Sequence, residues 1–324
     1  MIGDTVTVVH ARGRRLAKTI DPAGVIEPYD NARMVDLHQR HVAGLQDVHM
    51  LLHRLLHRPD CCVVRGEILD PARARGVRRL VRRDLESGDE PTLRDVPRRW
   101  LALDLDSVPL PAGADPRDLA GCARAVMPLL PGAFGWASCV VQATASHGIK
   151  AGARLRLWFW LDRPMTGAEA IRWLRDAPVD RTVFWAAQPI YVAAPIFLAG
   201  RRDHLPHRLA VLPGDDAVHA PPAAYLAQPR RPPTPPIRHD ADADRRLGAL
   251  LRMVRRAPEG RRHPILFWAA CRAGELARDG HLEELSAAAA LADAAMEAGG
   301  DDRRRAEQTA RDGIARGREE AAHA

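Results

Sequence analysis

Two aspartates at the end of an apolar run are the residues of this sequence best suited to chemistry. Asp104 and Asp106 close the apolar segment 100–103, with one leucine between them. The run predicts a strand, along which side chains two residues apart point the same way. Like charges held this close repel unless a cation lies between them. The pair therefore predicts a site for Mg²⁺ or Mn²⁺ that serves phosphoryl chemistry. The alternative is a pair of solvated aspartates that caps a turn.

Residues suited to binding a nucleotide follow further along the chain. A glycine-bearing loop lets backbone N–H groups approach an anion, and cationic side chains balance the charge of a triphosphate. The candidates are Ser146, His147 and Lys150 in the loop, Arg156 in the strand after it, and Arg181. Asp180, next to Arg181, offers a third carboxylate from a separate element, as two-metal chemistry requires.

The apolar patterns indicate the elements that position these residues. Short apolar runs predict strands over 61–64, 100–105, 136–143, 155–161 and 190–196. Helical spacing predicts helices over 35–57, 116–129 and 167–175. Five histidines fall within 38–57, some on one face of the expected helix. A packing or solvated role is favoured for them over a metal site.

A proline-rich stretch predicts a boundary between two domains. Prolines recur from 221 to 236, a composition typical of a semi-rigid linker. We expect an α+β (α/β) catalytic domain over 1–225, with a mixed or antiparallel sheet flanked by helices. The linker covers 226–240. Ala, Arg, Glu and Leu dominate 241–324, which predicts an all-α helical bundle.

The order of these motifs resembles that of the archaeo-eukaryotic primase (primase-polymerase) superfamily. Its members have an acidic pair after an apolar strand, a small-residue loop that leads into a strand, and a later lone aspartate. The resemblance implies that Asp104, Asp106 and Asp180 hold the catalytic metals and that Ser146 binds nucleotide phosphates. The family histidine falls at Arg156, which is a departure, and His147 is a rival for that role. The segment 191–195 resembles the strand that follows the third motif.

The C-terminal segment resembles the helical domain fused to such primases in plasmids, phages and integrative elements. Its cues include Gly260, Gly280, Gly299, Gly313 and Gly317. The resemblance implies a DNA primase that uses NTPs or dNTPs on a single-stranded DNA template. Template contacts are expected from Arg255, Arg256, Arg261 and Arg262. No Walker A loop occurs, so a replicative helicase would be a separate protein.

Composition narrows the class of protein. The 324 residues carry a formal net charge of +7, almost all of the positive charge from arginine. This favours a polyanionic partner, although a high-GC genome enriches arginine as well. The five cysteines include no CxxC pair, so no zinc is expected, and the odd count suits a reducing cytoplasm. No apolar stretch is long enough for a membrane span.

Two other functions remain open at this point. Asp104 to Val108 resembles the nucleophile motif of haloacid-dehalogenase-like phosphatases, and Gly214-Asp215-Asp216 resembles their late acidic motif. That family usually has Gly-Thr after the first motif, near the start of the chain, whereas Ser-Val-Pro follows here. A non-catalytic DNA-binding replication initiator would explain the charge and the helical segment, but not three placed carboxylates.

Overall fold

A computed structural model describes residues 3–84, 87–227, 240–278 and 282–322. The chain divides into two compact units, Met1–Gln228 and Pro229–Ala324. The first unit is α+β and the second is helical. Most of the expected linker, residues 228–239, lies outside the described residues. No helix within the described ranges is long and apolar enough to cross a membrane.

The first sheet of the N-terminal unit has the strand order β4-β1-β5. Its strands are β1 (Asp4–His10), β4 (Asp36–Val42) and β5 (Cys61–Val64), and β1 pairs antiparallel with both neighbours. Helix α1 (Leu45–Leu55) follows β4. The expected helix over 35–57 is therefore wrong in its first half. Hydrogen bonds from the distant strand β1 select an extended conformation there and override the local spacing.

The second sheet carries the acidic pair. Its order is β12-β9-β10-β8, and every pairing within it is antiparallel. Its strands are β8 (Arg98–Val108), β9 (Cys139–Ala143), β10 (Ala153–Met165) and β12 (Leu209–Leu212). The strands predicted over 61–64, 100–105, 136–143 and 155–161 are confirmed, with β8 and β10 longer than expected and β9 beginning only at Cys139. Helices α2 (Leu119–Val126) and α3 (Gly167–Trp173) fall within the two remaining helical predictions.

Short strands complete the N-terminal unit. One small sheet pairs β2 (Thr19–Ile20) with β3 (Ile26–Glu27) and β11 (Ile196–Phe197), and another pairs β6 (Glu67–Ile68) with β7 (Leu93–Arg94). The strand predicted over 190–196 is present only at its two ends, where Ile190 bridges to Val63 of β5 and Ile196 begins β11. Between them, the Tyr191 and Val192 carbonyls accept hydrogen bonds from the Arg156 and Gln142 side chains instead of from a neighbouring strand.

Buried arginine joins the two larger sheets. Arg98 at the start of β8 is 2% exposed. Its Nη1 donates to Asp4 Oδ1 (2.9 Å) and Thr5 Oγ1 (2.7 Å) on β1, and its Nε donates to the Arg65 carbonyl (2.8 Å). A buried charge persists only when it is paired and hydrogen-bonded in this way. The contacts fix where β8, and hence the acidic pair, begins.

The C-terminal unit contains α4 (Asp240–Arg255), α5 (Arg262–Arg278), α6 (Glu284–Glu297) and α7 (Arg303–Ala322). Its core is built mainly from alanine. Glycines let α5 and α7 approach closely, because a Cβ at Gly274 would collide with the Ile314 carbonyl oxygen. A Cβ at Gly317 would collide with the Cys271 carbonyl oxygen.

Candidate functional site

The acidic pair lies near the end of β8, where the strand leaves the core. Residues 100–103 and Leu105 are buried, whereas the Asp104 and Asp106 side chains are 21% and 70% exposed. Alternation along the strand directs both carboxylates to the same face of the sheet. The apolar residues of β8 are therefore buried in the sheet, and the two carboxylates are accessible together near the end of the strand.

Each aspartate is paired with an arginine of the neighbouring strand. Arg156 lies directly opposite Asp104 in the β8–β10 register, and its Nη2 donates to Asp104 Oδ2 at 2.5 Å. The register shifts between Ala153 and Leu155, and there Arg154 donates to Asp106 and to the Ser107 hydroxyl. The two guanidinium groups balance the two carboxylates. A residual Nε–H on each arginine has no acceptor, so neither guanidinium is fully satisfied.

The loop before β10 approaches the end of β8 through a glycine. Gly152 has φ +79°, and a Cβ there would lie 2.8 Å from the Val108 carbonyl oxygen. Ser107, which follows Asp106, has φ +63°, an uncommon conformation for a residue with a side chain. Such backbone conformations concentrate at functional sites. Here they set the loop residues against the acidic strand end.

His147 is part of the support of this loop. It is 1% exposed, and both of its ring nitrogens are engaged. Nε2 lies 2.8 Å from the Pro116 carbonyl, and the Arg154 backbone N–H donates to Nδ1 at 3.2 Å. Burial lowers the pKa of the imidazole, which keeps it in the neutral form that this arrangement uses. The structure thus places His147 where it positions Arg154 rather than where it meets a ligand.

An open cleft lies against the loop before β10, and the residues that line it include neither Asp104 nor Asp106. It has a volume of about 520 Å³, which suits a small-molecule ligand. Pro109 from the end of β8, Pro116, and Gly148 to Gly152 with Lys150 line it. Lys150 is exposed, whereas Ser146 is 7% exposed and its carbonyl accepts the Ile149 and Lys150 N–H groups. Of these two candidates, Lys150 therefore lines the cleft, whereas Ser146 supports the conformation of the loop.

Lys18 joins the site from a distant part of the chain. Burial lowers the pKa of its ammonium group, and the charges of Asp106, Lys150 and Asp104 act on it next most strongly. Its Nζ lies 5.3 Å from the centre of the Tyr29 ring. The half-buried ammonium group of Lys18 is therefore within range of the charges of the acidic pair.

A pair of stacked tyrosines connects Lys18 to Arg156. The Tyr29 and Tyr191 rings stack with 3.5 Å between centres and 7° between planes. The Tyr191 carbonyl accepts from Arg156 Nη1 at 2.6 Å. Burial raises the pKa of the Tyr29 hydroxyl to about 12, and the Arg156 charge opposes that shift. The stacked tyrosines therefore lie between Lys18 and the arginine that pairs with Asp104.

Asp180 reaches the acidic strand through its backbone. Its N–H donates to the Asp104 carbonyl at 2.9 Å, while its exposed carboxylate accepts from the Thr182 N–H and hydroxyl. Within the described part of the chain, the carboxylates of Asp104, Asp106 and Asp180 are not gathered at metal-ligand spacing. Arg181 is exposed beside them. The backbone of Asp180 thus contacts the acidic strand, whereas its carboxylate caps the helical turn Arg181–Phe184.

The arginines expected to bind template differ in their surroundings. Arg255 pairs with Glu297 (2.5 Å), and Arg262 Nη1 donates to the Gly299 carbonyl (2.8 Å). Arg256 and Arg261 are exposed, and their side chains pair with no acid in the described ranges. The same unit exposes Trp268, with the Arg272 guanidinium 5.6 Å from its ring centre.

The second acidic motif of the phosphatase hypothesis lies elsewhere on the sheet. Asp215 forms a β-bridge with Ala137, which precedes β9. Arg156 of β10 pairs with Asp104 of β8 on one side and with Gln142 of β9 on the other, so Asp104 and Gln142 lie at the same level of the sheet. Five residues of extended chain separate those levels, roughly 17 Å at about 3.3 Å per residue. Asp215 and Asp216 are therefore too far from Asp104 to share one phosphate site with it.

Comparisons with known proteins gave no match to a family model, to a curated protein or to a solved structure.

Proposed function

We propose that this chain is a DNA primase of the archaeo-eukaryotic type, which joins nucleotides on a single-stranded template in a metal-dependent reaction. The observation that carries the proposal is the acidic strand end. Two accessible carboxylates on one face pair there with Arg154 and Arg156, and the charge of Lys18 interacts with those of both carboxylates and of Lys150. Carboxylates for metals and cations for a triphosphate are the groups that nucleotidyl transfer requires together.

The donor set fits a hard divalent cation. Asp104 and Asp106 offer carboxylate oxygens, which Mg²⁺ and Mn²⁺ prefer, and Asp180 would join them after its side chain leaves Thr182. Bound there, the metals would lower the pKa of the primer 3′-hydroxyl and stabilise the pyrophosphate that leaves. Arg154 and Arg156 donate to the two carboxylates here, so they would have to release them for a metal to bind.

The cationic side chains would bind the incoming NTP or dNTP. Arg156 and Arg154 would turn from the carboxylates to the phosphates as the metals take their place, since a guanidinium binds phosphate through two parallel hydrogen bonds. Lys18 and Lys150 would add positive charge, and so would the exposed Arg181. His147 would act by holding the Arg154 backbone, and Ser146 by shaping the loop.

The two alternative functions are less well supported. A phosphatase of the haloacid-dehalogenase type would need its late acidic motif beside Asp104, and Asp215 and Asp216 lie far along the sheet. A non-catalytic replication initiator would need no pair of carboxylates accessible on one face of a strand end. The primase proposal also implies a separate helicase as a partner.

A priming assay tests the proposal. The full chain is incubated with single-stranded DNA, labelled NTPs or dNTPs, and Mn²⁺ or Mg²⁺, and short products are resolved on a gel. We expect products only with metal and template. Asp104→Asn and Asp106→Asn should each reduce incorporation at least 100-fold, because each removes a metal ligand. Thermal unfolding should show that both variants are folded.

Asp216→Asn is the matched control, since this exposed aspartate lies outside the site and belongs to the phosphatase hypothesis. It should prime like the wild type. Turnover of p-nitrophenyl phosphate that depends on Asp216 would replace the primase proposal with the phosphatase. DNA binding without incorporation under any metal would leave the initiator as the function.

A further inference from the structure

A second cluster of metal-ligating side chains lies on the first sheet, outside the acidic strand end. The β1–β4 register sets His10 opposite Asp36 and His38 opposite Val8. Because residues two apart share a face, His10, Asp36 and His38 all point to the same side. One ligand atom from each lies within 4.8 Å of the others. Small side-chain rotations would bring these three ligand atoms to the spacing that a bound metal ion requires.

The surroundings of His10 match those of a metal-bound imidazole. Its Nε2 lies 3.0 Å from Asp60 Oδ2, and Arg58 fixes that carboxylate with two hydrogen bonds of 2.9 Å. Metal-binding histidines usually donate their other ring N–H to such a carboxylate. With the proton on Nε2, the lone pair of Nδ1 is directed toward Asp36.

The distance between His10 and Asp36 suits two ligands of one ion. His10 Nδ1 and Asp36 Oδ2 are 3.8 Å apart, too far for a hydrogen bond. Two ligands at about 2.0–2.2 Å from a tetrahedral metal are about 3.3–3.6 Å apart. A metal ion between the two atoms would accept a lone pair from each of them.

Asp36 is held in place by groups that leave room for an ion. The Gly76 N–H donates to Oδ1 at 2.9 Å, and Arg12 Nε donates to Oδ2 at 2.6 Å. A carboxylate oxygen has two lone pairs, so Oδ2 can bind a second partner. The Arg12 side chain is 68% exposed and can move into solvent. The Asp36 side chain itself is only 6% exposed.

We propose that His10, His38 and Asp36 form a binding site for a divalent transition metal of the Zn²⁺ class, with solvent as the remaining ligand. Two imidazoles and one carboxylate favour such metals over Mg²⁺. The site joins the two ends of segment 11–35, which carries Lys18 and Tyr29. Bound metal would stabilise that segment and the first sheet. This proposal does not depend on the primase function.

The sequence argument against zinc rested on the absence of a CxxC pair. The ligands proposed here are instead histidine and aspartate from two strands, and only the β1–β4 register brings them together. Of the histidines grouped on the expected helix 35–57, His38 belongs to β4 and not to a helix.

Direct metal titration tests the site. The full chain is freed of metal with chelator and titrated with Zn²⁺ in excess Mg²⁺ by calorimetry, with Co²⁺ absorption as a second readout. We expect one Zn²⁺ per chain and a Zn²⁺-dependent rise in Tm. His10→Gln and His38→Gln should weaken binding at least tenfold and remove the rise in Tm. Their Tm values in chelator should equal that of the wild type, which excludes loss of folding as the cause.

His41→Gln is the matched control, because His41 is exposed on the same strand but faces the other side. It should bind Zn²⁺ like the wild type, as should Asp104→Asn. His53 on α1 and His57 in the turn after it form a competing pair, with ring centres 6.1 Å apart. Binding that is lost in His53→Gln and kept in His38→Gln would overturn the proposal. So would the absence of stoichiometric Zn²⁺ binding by the wild type.

Discussion

Lysine occurs only twice among the 48 lysine and arginine side chains of this sequence, at Lys18 and Lys150. After burial, the charges of Asp106, Lys150 and Asp104 have the largest effects on the pKa of Lys18. A compact ammonium group needs less space than a guanidinium and binds phosphate as a point charge. Under the proposed function, that makes the two lysines triphosphate ligands rather than parts of a solvated surface.

Lys18→Met should therefore raise the KM for nucleotide about 10- to 100-fold and leave the fold intact. A charge-assisted contact to phosphate contributes on the order of 1.5–3 kcal/mol. Steady-state kinetics of incorporation against nucleotide concentration measures the effect. Arg175→Met removes an exposed cation whose partner is Asp176, and it should leave KM unchanged. A normal KM in Lys18→Met would exclude the phosphate contact.

The sequence predicted the acidic pair because its signal is local: two aspartates, one residue apart, after an apolar run. Lys18 was missed because β2, β11 and the tyrosine stack bring it to the site through contacts distant in sequence. Its rarity was the only available signal. His147 was a candidate ligand from its place in the loop, and its burial became evident only when Pro116 and Arg154 were seen around it.

At the scale of elements, apolar runs identified most of the strands, whereas the segments 35–42 and 190–196 depended on contacts distant in sequence. β8 and β10 combine continuous apolar residues with aromatic ones, and a run of that kind has few ways to be buried other than in a sheet. The segment 35–42 has mixed spacing, and its pairing with β1 decided its structure. The segment 190–195 is apolar too, but side chains of Arg156 and Gln142 bind its carbonyls. No local pattern encodes that.

The junction between the 144–152 loop and β8 gives a test at this scale. Gly152→Ala places a Cβ 2.8 Å from the Val108 carbonyl oxygen at φ +79°, so it should displace the loop and lower activity. Gly113→Ala is the matched control, with φ +81° and open space around the added carbon. In both variants alanine must adopt the left-handed backbone conformation, which costs about 1–2 kcal/mol.

Only Gly152→Ala adds the clash, so urea unfolding should show a larger loss of stability for it than for Gly113→Ala. The KM for nucleotide should rise in Gly152→Ala and stay normal in the control. Equal losses of stability in the two variants would show that the loop tolerates the added carbon. The close approach of loop and strand would then not position the site.

At the scale of the whole molecule, the two units divide the proposed work. The N-terminal unit contains the acidic strand end and its cationic groups, whereas the C-terminal unit has a core of its own. Arg256 and Arg261 are exposed there and pair with no acid in the part of the chain that the structure describes. Cations of this kind can neutralise phosphates, while Arg255 and Arg262 are already engaged with Glu297 and Gly299.

Truncation separates the two roles. A fragment of residues 1–228 should fold, extend an annealed primer at a rate close to that of the full chain, and initiate poorly on single-stranded DNA. The reason is that initiation lacks a pre-formed duplex and depends on template held by the second unit. Affinity for single-stranded DNA, measured by fluorescence anisotropy at several salt concentrations, should fall in the fragment, with a shallower salt dependence than the full chain shows. In the full chain, Arg256→Glu with Arg261→Glu should reproduce this defect, whereas Arg175→Glu in the first unit should not. Normal initiation by the fragment would show that the helical unit has no part in holding template. Failure of the fragment to fold would contradict the division into two independent units.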